Sequence, residues 1–147
     1  MAADSATFQN ELMFQCYEPK IVRARDGSLI GASGAAGDCI FLRDWVRGGM
    51  DFKKPPQFSW KDVDSDHSIL WLWLRGPNDV HMGDCTMNHW PVPVPTTIGF
   101  GSHFVTALLA AGMELTEAVA LTIKRTPYLG GEVQVEHLHT ALAEVAD

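Results

Sequence analysis

No apolar run in this sequence approaches the roughly 20 residues that a membrane-spanning helix needs; the strongest, residues 69–74, has six. The opening stretch, Met1-Ala2-Ala3-Asp4-Ser5, has neither the basic region nor the apolar core of a signal peptide. Positive charge is scarce as well. Lysine and arginine total 11 against 18 for aspartate and glutamate, a formal charge of −7. Such a surface cannot displace phosphate counterions from a nucleic acid, nor hold anionic headgroups as a polybasic segment does. No nucleic-acid partner and no membrane partner is therefore expected. Cysteine is sparse: Cys16, Cys39 and Cys85 are odd in number and irregularly spaced. That is a poor disulfide framework and points to a reducing, cytoplasmic location. What the sequence does have is apolar bulk. It is 46% hydrophobic and 20% charged, a globular rather than a disordered composition. Its 147 residues suit one domain, 1–147.

The pattern along the chain changes period several times. Residues 8–17 mix apolar and polar side chains without a firm period and read as a loop with a short strand. Residues 20–25 alternate and meet Asp26-Gly27, a hairpin signal because both residues tolerate positive φ. A short strand of small residues, 28–34, comes next. Cys39, Leu42, Trp45 and Val46 then fall at helical spacing, with Asp38 near the start and Gly48-Gly49 as the stop. Residues 50–67 have no period and carry Pro55-Pro56 and the acids Asp62, Asp64 and Asp66, as a surface connection would. Residues 68–74 are the clearest strand, apolar enough to be buried on both faces. Residues 80–90 suggest a returning strand, and Pro91, Pro93 and Pro95 confine their own segment to an edge or loop. Residues 96–102 suggest a short strand entering a glycine turn. Two helices come next, the first ended by Gly112 and the second by Pro127. Residues 132–138 alternate as a strand, and the tail from His139 suggests a short helix. Strands and helices in this order predict an α+β plan of sheets between helical layers.

Three groups of residues invite a binding role. His81, Cys85 and His89 recur every four residues, and zinc accepts imidazole and thiolate. Gly83, Asn88 and the prolines oppose a helix there. On one strand the neighbours would lie about 13 Å apart at ~3.3 Å per residue, too far for a single ion, so no metal is expected. His137 and His139 would share one strand face in solvent. Trp60, Trp71, Trp73 and Trp90 suit a core or a subunit interface better than a ligand platform. Gly99-Phe100-Gly101 lacks a third glycine, and no phosphate-loop or dinucleotide motif exists, so no cofactor is expected.

Five segments, in order, carry a family resemblance. They are Ala2-Ala3-Asp4-Ser5; Lys20-Ile21, with Lys20 sixteen residues after Asp4; Leu29-Ile30-Gly31-Ala32-Ser33-Gly34-Ala35-Ala36-Gly37-Asp38; Thr97-Ile98-Gly99-Phe100-Gly101-Ser102 with the alanine-rich stretch beyond it; and Gly130-Gly131-Glu132-Val133-Gln134-Val135. Together they resemble the proteasome β-type subunits and HslV-type peptidases, the N-terminal-nucleophile hydrolases. The resemblance implies a reduced α-β-β-α sandwich. It also implies threonine-type hydrolysis of polypeptides, with Asp4 and Lys20 as catalytic supporting residues. In such chemistry the free α-amine of an N-terminal threonine is the base for its own hydroxyl. A nearby lysine lowers that amine's pKa by like-charge repulsion, and an aspartate holds the lysine. A backbone amide in the glycine-rich turn at residues 31–34 could face the oxyanion.

The departures are specific. The chain starts where the family has its second strand, so the first strand and its threonine are expected to be absent. Phe100 stands in place of a serine. Thr126-Pro127-Tyr128-Leu129-Gly130 lacks the acid and hydroxyl of the family's later supporting site. Removing Met1 would expose Ala2, which has no hydroxyl, and Ser5 and Cys16 are not terminal. The chain as it stands is thus expected to be inactive. Self-association, with a ring as the family's form, and a polypeptide substrate are the implied partners; an ATPase partner is left open. The alternative reading is a non-catalytic structural or binding subunit derived from the same family.

Overall fold

The computed structural model describes residues 1–4, 6–9, 12–15, 19–58, 69–127 and 129–138, with backbone alone at 6–9 and 12–15. The elements are β1 (Ala2–Asp4), β2 (Ala6–Gln9), β3 (Leu12–Gln15), β4 (Ile21–Arg23), β5 (Leu29–Gly34), α1 (Ala36–Gly48), β6 (Ile69–Gly76), β7 (Asp79–Asp84), β8 (His89–Pro91), α2 (Ser102–Ala110), α3 (Leu115–Arg125) and β9 (Val133–Val135). Three antiparallel sheets result: β1 with β9, the hairpin β2–β3, and a five-stranded meander in the order β4-β5-β6-β7-β8. Helix α1 packs on β5 and β4, while α3 packs on β1 and β9 with α2 beside it. The expected layering of sheets between helices is therefore observed.

Local chemistry explains the main elements. At the β4–β5 turn, Gly27 takes φ +88°. There the Asp26 carboxylate accepts bonds from the Ser28 amide at 3.0 Å and its hydroxyl at 2.6 Å. Those bonds hold the Asp26 pKa below the ordinary range, against the opposing effect of burial. Helix α1 ends on Gly49 in the left-handed region, whose amide faces the carbonyls of Trp45 and Val46. Its inner face, Leu42 and Val46, packs against Ile30, Ile69 and Trp71. Burying such side chains stabilises by about 1.5–3 kcal/mol each. Strand β6 lies between β5 and β7, as its apolar run requires. Trp71 is fully buried because its indole lies over Gly83; a Cβ there would sit 2.2 Å from the ring.

Four expectations need correction. Residues 8–17 read in sequence as a loop with one short strand, but Ala6–Gln9 and Leu12–Gln15 form a paired hairpin. Residues 80–90 hold two strands rather than one. The Asp84 carboxylate collects the Thr86 amide and hydroxyl at 2.8 and 2.5 Å, and Met87 adopts φ 63°, folding β8 back on β7. Residues 96–98 form no ladder among the described residues. Thr97 Oγ1 instead bonds the Ser102 carbonyl at 3.1 Å and Thr106 Oγ1 at 2.7 Å, tying the segment to α2. The last strand is shorter than 132–138, spanning Val133–Val135; beyond it Arg23 takes the Glu136 carboxylate and the His137 carbonyl, each at 2.8 Å. Ser5, Cys16, Tyr17, Trp60, Asp62, Asp64, Asp66, Tyr128 and the tail from His139 lie outside the described residues.

Candidate functional site

An apolar groove of about 700 Å³ opens where β1, β4 and β5 meet the three helices. Strand β1, the start of β4, the glycine-rich end of β5 and residues 96–102 all line it. Glycines let its walls pack closely. A Cβ at Gly31 would meet Met1 Sδ at 2.8 Å, and one at Gly101 would meet Leu129 Cδ1 at 2.6 Å. Gly99, with φ +91°, packs against Ser33. Larger apolar groups stand at the margin: Phe100 is 63% exposed, Ile40 44% and Leu115 37%, and all three line the groove.

Asp4 and Lys20, sixteen residues apart along the chain, meet on this surface. Lys20 Nζ donates to Asp4 Oδ1 at 2.7 Å, with the side chains 26% and 10% exposed respectively. Asp4 Oδ2 also accepts from the Gly130 amide at 3.3 Å. The Lys20 amide donates to Gln134 Oε1 on β9 at 2.7 Å. The pair is thus stitched to β9 and the loop before it, contacts that residue patterning does not reveal. Gln134 is a polar residue in a short alternating strand, and that is the one available signal. Shielding from water strengthens the attraction within the pair, and the amide donors satisfy what burial would leave open.

The Met1 ammonium donates to the Glu136 carbonyl at 2.7 Å. Burial lowers its pKa, with the Glu136 charge acting in the opposite direction. Met1 lines the same groove as Lys20 and Gly34. The site therefore gathers a lysine held by a carboxylate and glycine-flanked backbone around an apolar groove. No strand other than β9 pairs with β1 among the described residues. No helix among them is long and apolar enough to cross a membrane.

No family model matches the sequence, and no curated protein matches it either. Solved structures do match. The Thiobacillus denitrificans protein BPH superposes with a TM-score of 0.70 at 16% identity, covering 95% of this chain and 92% of that one. BPH in complex with epoxomicin gives 0.68 at 16% identity, covering 90% and 88%. The eukaryotic HslV from Trypanosoma brucei gives 0.64 at 15% identity, covering 92% and 90%. These likenesses extend over most of each chain, and what they show is a shared fold, that of BPH and HslV.

Proposed function

We propose that this chain is a proteasome and HslV-like threonine-type peptidase family subunit that acts on polypeptides, inactive as its 147 residues stand. The observation that carries this reading is the Asp4–Lys20 pair at 2.7 Å beside a groove of about 700 Å³ bordered by β1. An extended polypeptide bonds readily along a strand edge, with pockets taking its alternate side chains. Lys20, positioned by Asp4, would depress the pKa of a neighbouring α-amine, and a backbone amide near Gly34 would meet the oxyanion. Met1 also lines the groove, its ammonium held by the Glu136 carbonyl.

The same reading implies a cytoplasmic homo-oligomer, with a ring as the form and an ATPase as a candidate partner. A second reading, a purely structural or binding subunit, draws support from Phe100. It is exposed at the groove where the peptidase pattern has a hydroxyl. Thr126 and Leu129 likewise replace an acid and a hydroxyl.

Fluorogenic peptide assays test the proposal. We expect no turnover from the purified chain. Cleavage that survives repurification and is blocked by epoxomicin would overturn it. Adding an in-frame N-terminal extension that begins with threonine separates the two readings. Turnover that then depends on Lys20 supports the peptidase type; continued silence supports the structural subunit.

A further inference from the structure

On the five-stranded sheet, apart from the Asp4–Lys20 groove, two histidines meet in a way that their spacing in sequence conceals. The β7–β8 register sets Gly83 opposite His89 and His81 opposite Pro91, so the two imidazoles are diagonal neighbours. Their Nδ1 atoms are 3.0 Å apart. His81 Nε2 lies 3.2 Å from Asp79 Oδ1, and the His81 side chain is 15% exposed. A carboxylate at that nitrogen fixes the ring proton on Nε2 and leaves the Nδ1 lone pair aimed at His89.

The surroundings hold both rings in place. Trp71 Nε1 donates to the Asp84 carbonyl at 3.0 Å and Trp73 Nε1 to Ser28 Oγ at 2.9 Å. Neither indole is free to turn. The centroids of Trp73 and Trp71 lie 5.4 and 6.0 Å from that of His89, and Phe52 is 5.9 Å away. Partial burial, with the nearby His81 and Arg75, lowers the His89 pKa and favours its neutral form.

We propose that His81 and His89 are a two-imidazole site for a divalent ion of the nickel, copper and zinc class, with Asp79 orienting His81. Two ligands at about 2.0–2.1 Å from one ion stand roughly 2.9 Å apart at a right angle and about 3.4 Å apart at the tetrahedral angle. The observed 3.0 Å falls within that range. Binding needs only that the His89 proton move from Nδ1 to Nε2, so both rings stay neutral and no net proton is released. Arg75 Nε lies 3.4 Å from Asp79 Oδ2 and offsets the carboxylate charge. Selection therefore rests on neutral nitrogen donors, which suit late transition metals and not calcium or magnesium. No cluster of three or more candidate ligands forms among the described residues, so water would complete the coordination. Such an ion would cross-link edge strand β8 to β7.

Trp71 and Trp73 provide the readout, because a paramagnetic ion beside them quenches their fluorescence. Titration with nickel chloride should give saturable quenching at one ion per chain, reversed by excess zinc and not reproduced by magnesium. His81→Gln and His89→Gln should each weaken the effect at least about tenfold, and Asp79→Asn by about 10–100-fold. His137→Gln should leave it unchanged. Unsaturable quenching, or quenching equal in His89→Gln, would overturn the proposal. So would a response that tracks His137. If the histidine variants do not fold, copper bound to the unaltered chain still decides. Its electron paramagnetic resonance spectrum should show two equivalent imidazole nitrogens, and a spectrum with one nitrogen or none contradicts the site.

Discussion

At Asp4 and Lys20 the sequence carries more information than its composition suggests, because a sixteen-residue separation is meaningful only beside a family pattern. Charge types alone describe an ordinary surface pair. The fold makes it a shielded one, backed by the Gly130 amide. Lys20→Met removes a charge-assisted bond to the Asp4 carboxylate, so we expect a loss of about 1.5–3 kcal/mol in urea unfolding. A change indistinguishable from zero would show that water still screens the pair. His89 makes a separate prediction. Its folded pKa is lowered, by burial first. Below about 6.5, the ordinary histidine value, the unfolded chain takes up a proton that the folded chain resists. Stability should fall as pH drops from there through the lowered folded pKa, then level off. Urea midpoints at several pH values should show this slope, and His89→Gln should flatten it. An equal slope in the variant would assign the effect to other groups. The meeting of His81 and His89 is illegible in sequence, because on one continuous strand the two rings would stand far apart. A turn held by Asp84 and Thr86 cancels that distance.

Among the elements, the strongest periodicities are the easiest to read. The β4–β5 hairpin, α1, β6 and both later helices arise from Asp26-Gly27, the glycine and proline stops and the apolar run of β6. The errors fall where side chains compete with backbone ladders. Thr97 bonds to α2 instead of supporting a strand, and Arg23 bonds the residues just beyond β9. Those bonds join residues distant in sequence, or hydroxyls whose partners no local pattern identifies. Gly83 is an element-scale test of the packing. Its small size admits Trp71 to the core, with no room for even a methyl group at 2.2 Å. Gly83→Ala should therefore destabilise by about 1–3 kcal/mol or more through overpacking. A melting temperature within error of the parent would mean that Trp71 can move aside.

Across the whole molecule, the groove borders both buried clusters: Val105 and Val119 of one, and Cys39 beside the other, line it. Ile40 and Phe41 are each nearly half exposed on α1, and Phe104 is exposed on α2. Large exposed apolar groups of this kind mark interfaces. We therefore expect the chain to self-associate, with light scattering giving a mass well above 16.2 kDa; a monomer at high micromolar concentration would contradict this. The sheet plan is legible because element order and the five quoted segments agree. The groove is not, since it depends on how β1, residues 96–102 and Met1 come together in space. A quenched, unstructured polypeptide carrying a fluorophore tests the central claim in one titration. Its anisotropy reports binding and its dequenching reports cleavage. We expect a saturable rise in anisotropy with no dequenching; a flat anisotropy, or dequenching that epoxomicin abolishes, would contradict a groove that binds polypeptide without cutting it.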